Sequence, residues 1–139
     1  MKVLLDINIL LDVVLERSPW YPAAAQLLSA VDEGHVLGFV AGHTLPTVHY
    51  VVEKARDRTT AAAAITDLLR VVDVVPVEKE DFHQALVLPV DDFEDAVQLA
   101  PALKIGAEYI VTRNEKDFQQ GSVPPIRAER LLSLLPFGE

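Results

Sequence analysis

The chain has 139 residues, half of them hydrophobic and 24% charged, with no cysteine and a formal net charge of −9 at neutral pH. That length suits a single domain over residues 1–139, because a chain of this size removes roughly two-thirds of its unfolded surface from water while two half-sized cores would each be marginal. Missing thiols exclude disulfides, Cys-ligated zinc, iron–sulfur clusters and a cysteine nucleophile, and the acidic balance excludes a global positive field for nucleic acid or anionic membrane.

The chain opens on Val3, Leu4 and Leu5, far too short an apolar run for a signal peptide, and nowhere do about 18 apolar residues follow one another. A cytoplasmic protein with no membrane partner is expected. The run stops at Asp6 and resumes with Ile9, Leu10, Val13 and Val14 at helical spacing, which predicts a buried strand feeding a helix, with Asn8 as a possible cap. A second helix is predicted from Pro22 to Glu33, ended by Gly34. His35–Ala41 reads as a second strand, and Leu45–Arg56 as a helix with Pro46 in its first turn. Between Thr59 and Val72, Ile65, Leu68, Leu69 and Val72 form an inward stripe, with Thr59 or Thr60 as the cap. Val72–Val77 predicts a third strand, Glu78–Leu86 a short helix, and Asp91–Gly106 a longer helix in which Pro101 is expected to kink or break a turn. Glu108–Thr112 is the fourth strand, Arg113–Phe118 a turn into a short helix, Pro124–Arg127 an edge strand, and Ala128–Leu135 a final amphipathic helix.

Strands alternating with helices imply an α/β/α sandwich, three layers around a mainly parallel sheet of four to five strands. Ligands of such sheets gather beyond the carboxyl ends of the strands. Asp6 follows the first strand at once, Asp92 and Asp95 open the helix after the third, and Asp117 lies just after the fourth. Carboxylates brought together without cations repel one another and hold raised pKa values, so the cluster implies Mg²⁺ or Mn²⁺, hard ions suited to oxygen donors. Such ions activate water and stabilise a leaving oxygen, which makes phosphodiester hydrolysis the leading chemistry. Each acid also has a plainer reading: Asp92 as a helix cap, Asp95 as a complement to the helix dipole, Asp117 as an exposed turn acid.

The opening "LLDINILLDVV", the central "DFEDAVQLA" and the later "YIVTRNEKDF", in that order, resemble the PIN domain family, which includes VapC-type toxins. The resemblance implies clustered acids that bind Mg²⁺ or Mn²⁺ and cleave RNA, commonly in a homodimer, with an antitoxin protein as partner. Carried over by position, Asp6 resembles the first metal-binding acid and Asn8 the small polar residue after it. Asp95 resembles the third acid, and Asp92, one helical turn earlier, could add a metal or water contact. Thr112, Asn114 and Asp117 resemble the fourth motif. The second motif departs from the pattern: Thr47 stands where many members carry Glu, and Glu53, more than one turn further on, cannot replace it.

Arg113 and Lys116, between the fourth strand and Asp117, are placed to hold RNA against the acidic background. Asn8, Asp12 and Glu16 read as a solvated stripe, with Arg17 or Arg113 as alternative partners for Asp12. Trp20 reads as an aromatic lid or a base-stacking surface. Two further readings compete: a degenerate PIN module that binds RNA or a protein without cutting, and a phosphatase built on an aspartyl phosphate. The second lacks a paired Asp after Asp6 and a lysine at a strand end.

Overall fold

The computed structural model describes residues 1–136, so the last three residues of the expected domain lie outside the described residues. In chain order it contains β1 (Lys2–Leu5), α1 (Ile7–Val14), α2 (Tyr21–Asp32), β2 (Leu37–Ala41), α3 (Thr44–Ala55), α4 (Arg58–Val71) and β3 (Asp73–Val75). There follow α5 (Lys79–Ala85), α6 (Phe93–Ile105), β4 (Tyr109–Val111), a 3₁₀ turn (Glu115–Phe118), β5 (Pro125–Ile126) and α7 (Ala128–Leu134).

Five strands pair in the order β3-β2-β1-β4-β5, every pair parallel. Central β1 alternates its side chains between two cores, as strand periodicity requires. Val3 and Leu5 pack with buried residues of α1, α2, α3, α4 and α7 on one face, including Leu10, Leu27, Val52, Leu68 and Leu131. Leu4 packs on the other face with Leu99 and Ala102 of α6, Ile110 and Phe118. The expected α/β/α sandwich is therefore present, with its core split by the sheet.

The structure corrects four local expectations. The cap of α1 is Asp6, whose extended backbone suits a cap and whose carboxylate accepts from the Ile7 amide at 2.8 Å; Asn8 lies inside the first turn. The cap of α4 is Asp57, which accepts from the Thr60 amide at 2.7 Å, so Thr59 and Thr60 are already helical. On α4, Leu68 and Val72 are buried but Leu69 is 53% exposed. Finally, α6 runs through Pro101 without a broken turn. Its φ restriction is compatible with a helix, and the buried neighbours Leu99, Ala100 and Ala102 hold both flanking turns in place.

Candidate active site

The first crossovers leave β1 toward β2 and β3, while β4 and β5 extend the sheet the other way, so the strand order reverses between β1 and β4. A crevice forms beyond the carboxyl ends of strands at such a point. The Asp6 amide donates to the Val111 carbonyl at 2.9 Å, and the Thr112 amide to the Ile126 carbonyl at 2.9 Å, so both residues remain on the ladder as their side chains reach the edge. There the Thr112 hydroxyl donates to Asp6 Oδ2 at 2.9 Å and accepts from the Asn114 amide at 3.0 Å. Both Asp6 and Thr112 are buried. Burial pushes the Asp6 carboxyl above its usual range against the hydrogen bonds from Thr112 and Ile7, and the charges of Asp117 and Glu94 push it further.

Asp95 occupies the first turn of α6, its amide donating to Asp92 Oδ1 at 3.0 Å. Asp92 thus caps the helix, as its plainer reading requires. Desolvation, followed by the charges of Asp92, Asp117, Asp6 and Glu94, drives the Asp95 carboxyl up to about 7. The three acids singled out from three separate stretches of sequence therefore feel one another across one basin. Asp117 stands exposed on the 3₁₀ turn, its amide donating to the Asn114 carbonyl at 3.0 Å.

Glu94 belongs to the same basin, since it raises both Asp6 and Asp95. The motifs in the sequence do not single it out; its position beside Asp95 in the same first turn is the signal that could have found it. On the facing helix, Thr47 directs its hydroxyl to the His43 carbonyl of its own helix at 3.4 Å. The link from α3 to α6 is instead the buried Thr44, whose hydroxyl accepts from Gln98 Nε2 at 3.1 Å. Burial lowers the pKa of His43, in the same corner, against the opposing charge of Glu94. Glu53 points outward to His49 at 3.8 Å and Arg58 at 3.9 Å, as a surface acid.

Arg113 is engaged within the protein. Its Nε and Nη2 donate to Asp12 Oδ2 and Oδ1 at 3.0 and 3.1 Å. Its guanidinium carbon lies 3.7 Å from the Trp20 ring centroid. Asp12 is 0% exposed rather than part of a solvated stripe, and a buried carboxylate needs such a counter-charge. Trp20 accordingly supports a cation. Lys116 stays exposed, in a groove of about 430 Å³ that it shares with Arg113, Asn114, Asp117, Gln119 and Arg127. Lys104 is tied to Asp81 at 2.7 Å and the Pro76 carbonyl at 2.9 Å, which removes it from any aspartyl phosphate.

The donor chemistry of the basin, carboxylate and hydroxyl oxygens with mutual repulsion, fits a hard divalent cation. As the side chains stand, no three carboxylate or imidazole groups among the described residues are close enough to chelate one ion together.

Residues 2–116 match the profile of the PIN domain. The chain belongs to the PIN domain family. No curated protein gives a significant sequence match to this PIN domain. Among solved structures, it is similar to VapBC2 from Rickettsia felis bound to a promoter DNA fragment, at 13% identity and a TM-score of 0.73, over 91% of this chain and 98% of that one. VapC20 from Mycobacterium tuberculosis, described as a sarcin-ricin loop cleaving toxin, is 19% identical with a TM-score of 0.63, over 78% and 86% of the two chains. A toxin–antitoxin complex from Klebsiella pneumoniae is 21% identical with a TM-score of 0.67, over 91% and 97%. At these identities the likeness concerns the fold of the PIN domain.

Proposed function

We propose that this PIN domain is a Mg²⁺- or Mn²⁺-dependent endoribonuclease and the toxin of a toxin–antitoxin pair acting in the cytoplasm. The observation that supports it most is the carboxylate basin at the strand-order reversal, where Asp95 is raised to about 7 by burial and by Asp92, Asp117, Asp6 and Glu94. Asp6, Asp95 and Asp117 would hold the metal, which when bound supplies an activated water and charge neutralisation at the phosphate. Thr112 fixes one Asp6 oxygen and the Ile7 amide the other, which holds the carboxylate in place at the sheet edge. Asn114 follows at the rim as a polar donor, and Lys116 offers the RNA backbone a positive charge beside Asp117. The partner reading draws on the structural neighbours, which are described as VapBC or toxin–antitoxin complexes. An apolar groove of about 320 Å³ between α1, α2 and α4, lined by Val14, Leu28, Ala64, Leu68 and Val71, suits an apolar antitoxin segment. A homodimer completes the reading.

The test is cleavage of RNA oligonucleotides by purified protein with Mg²⁺ or Mn²⁺ added. Asp6→Asn and Asp95→Asn are expected to lose at least about 100-fold in kcat, the scale on which displaced transition-state charge is felt. Undiminished cleavage in both variants would overturn the assignment. A second reading, an RNA- or protein-binding PIN module without cleavage, is favoured by Thr47 in the second motif and by the lack of a closed three-acid site among the described residues. RNA binding with no metal-dependent product at any Mn²⁺ concentration would select it.

A further inference from the structure

The segment that presents Asp117 has no regular secondary structure between the end of β4 and the 3₁₀ turn, yet it is held from three directions. The Thr112 hydroxyl ties it to Asp6, and the Asn114 amide folds back onto that same hydroxyl. Between them Arg113 reaches across to α1, where it forms a two-pronged pair with the fully buried Asp12 and lies flat against Trp20. Its carbonyl also accepts from Arg127 Nη2 at 3.4 Å. The helix gripped by Arg113 is the one that Asp6 begins. Asp6 and Asp117 are therefore referenced to a single rigid body, one directly and the other through Arg113.

We propose that Arg113 is a positioning residue for the nuclease site: its fork on Asp12 and its stack on Trp20 lock the 112–118 segment so that Asp117 faces Asp6, and Arg113 makes no contact with RNA. This rests on the nuclease reading for its kinetic consequence and on the clamp alone for its structural one. Lysine keeps the charge at this position but has neither the planar fork nor the flat face, so Arg113→Lys isolates the geometry. Buried Asp12 needs its cation, so Asp12→Asn removes the same grip from the other side.

The experiment pairs amide hydrogen exchange on metal-free protein with steady-state kinetics on RNA in Mn²⁺. In Arg113→Lys the Asn114 and Asp117 amides exchange at least about tenfold faster while those of Val3–Leu5 keep their protection, the pattern of a local opening. kcat falls about 10- to 100-fold with KM for RNA within about twofold, as for a misplaced catalytic group. Combining Asp12→Asn with Arg113→Lys adds little to the loss, because both remove one interaction. A KM that rises while kcat holds would make Arg113 an RNA contact and overturn the proposal, as would unchanged exchange at Asn114 and Asp117. Should Arg113→Lys not fold, Trp20→Leu, which removes the stack alone, takes its place in the same exchange measurement: faster exchange at Asn114 and Asp117 supports the clamp, and unchanged exchange overturns it. Inactive wild-type protein would sink the nuclease reading, while the exchange result would still decide whether Arg113 holds the segment.

Discussion

Asp95 is a half-buried carboxylate facing several charges of its own sign, and its proton equilibrium follows from that setting. Its folded pKa of about 7 lies above the ordinary value of 3.8. Between those values the folded state holds a proton that the unfolded chain has released, so the stabilisation is complete below the unfolded pKa and is lost as pH rises through about 7. Asp6 is shifted in the same direction. Metal-free protein should therefore melt at lower temperature at pH 8 than at pH 5.5. Partial exposure screens the effect, so the expected difference is small, about 2–4 °C. Asp95→Asn flattens that dependence, and Mn²⁺ at pH 8 restores the wild-type melting point; calorimetry across pH checks both. A second residue-scale prediction concerns Thr112. Thr112→Val strips buried Asp6 Oδ2 of the hydroxyl that donates to it and should cost about 1–3 kcal/mol in urea denaturation.

Secondary structure was legible wherever a single periodicity acted alone. Gly34 and Gly106 stand where the helix terminators were expected, with φ of +84° and +68°. Gly106→Ala, which forces a side chain into the left-handed region, should destabilise by about 1 kcal/mol or slightly more. The stripe of α4 shows what periodicity leaves undecided. Leu68 and Leu69 both lie on its apolar side, but α4 packs against α3 and the first helices rather than the sheet, and only Leu68 faces them. Leu68→Ala should cost about 2–5 kcal/mol, whereas Leu69→Ala should stay within about 0.5 kcal/mol; chemical denaturation of the two variants distinguishes them. Pro101 failed as a helix breaker because burial of its neighbours outweighs one lost backbone bond, a tertiary effect that no local rule contains. The Asp12–Arg113 pair stood in the sequence only as one alternative beside a solvated stripe, for a similar reason. Its partners are 101 positions apart, and four-residue spacing on an amphipathic helix resembles a wet face until something buries it.

For the molecule as a whole, the parallel sheet was legible because strands alternate with helices and Asp6 directly follows an apolar run, whereas the reversal of strand order between β1 and β4 comes from the structure alone. The basin's membership was less so: Glu94 enters it through the turn of α6, and the facing contact from α3 comes from Thr44 rather than from Thr47. The surface beyond the site carries a prediction of its own. Leu86 and Val87, after α5, are 70% and 81% exposed, with Phe82 and Phe93 also exposed nearby in sequence. If the chain pairs with itself through this apolar surface, sedimentation should show a dimer that Leu86→Glu with Val87→Glu converts to a monomer at unchanged melting temperature.

The hydrogen bond between Thr112 and Asp6 joins positions 106 residues apart. During translation the Asp6 side of the basin must wait for those 106 further positions before its counterpart arrives. The proposed cleavage would begin only once that hydrogen bond can close. On the proposed nuclease reading a fragment ending at residue 108 should cleave nothing, since it lacks both Thr112 and Asp117.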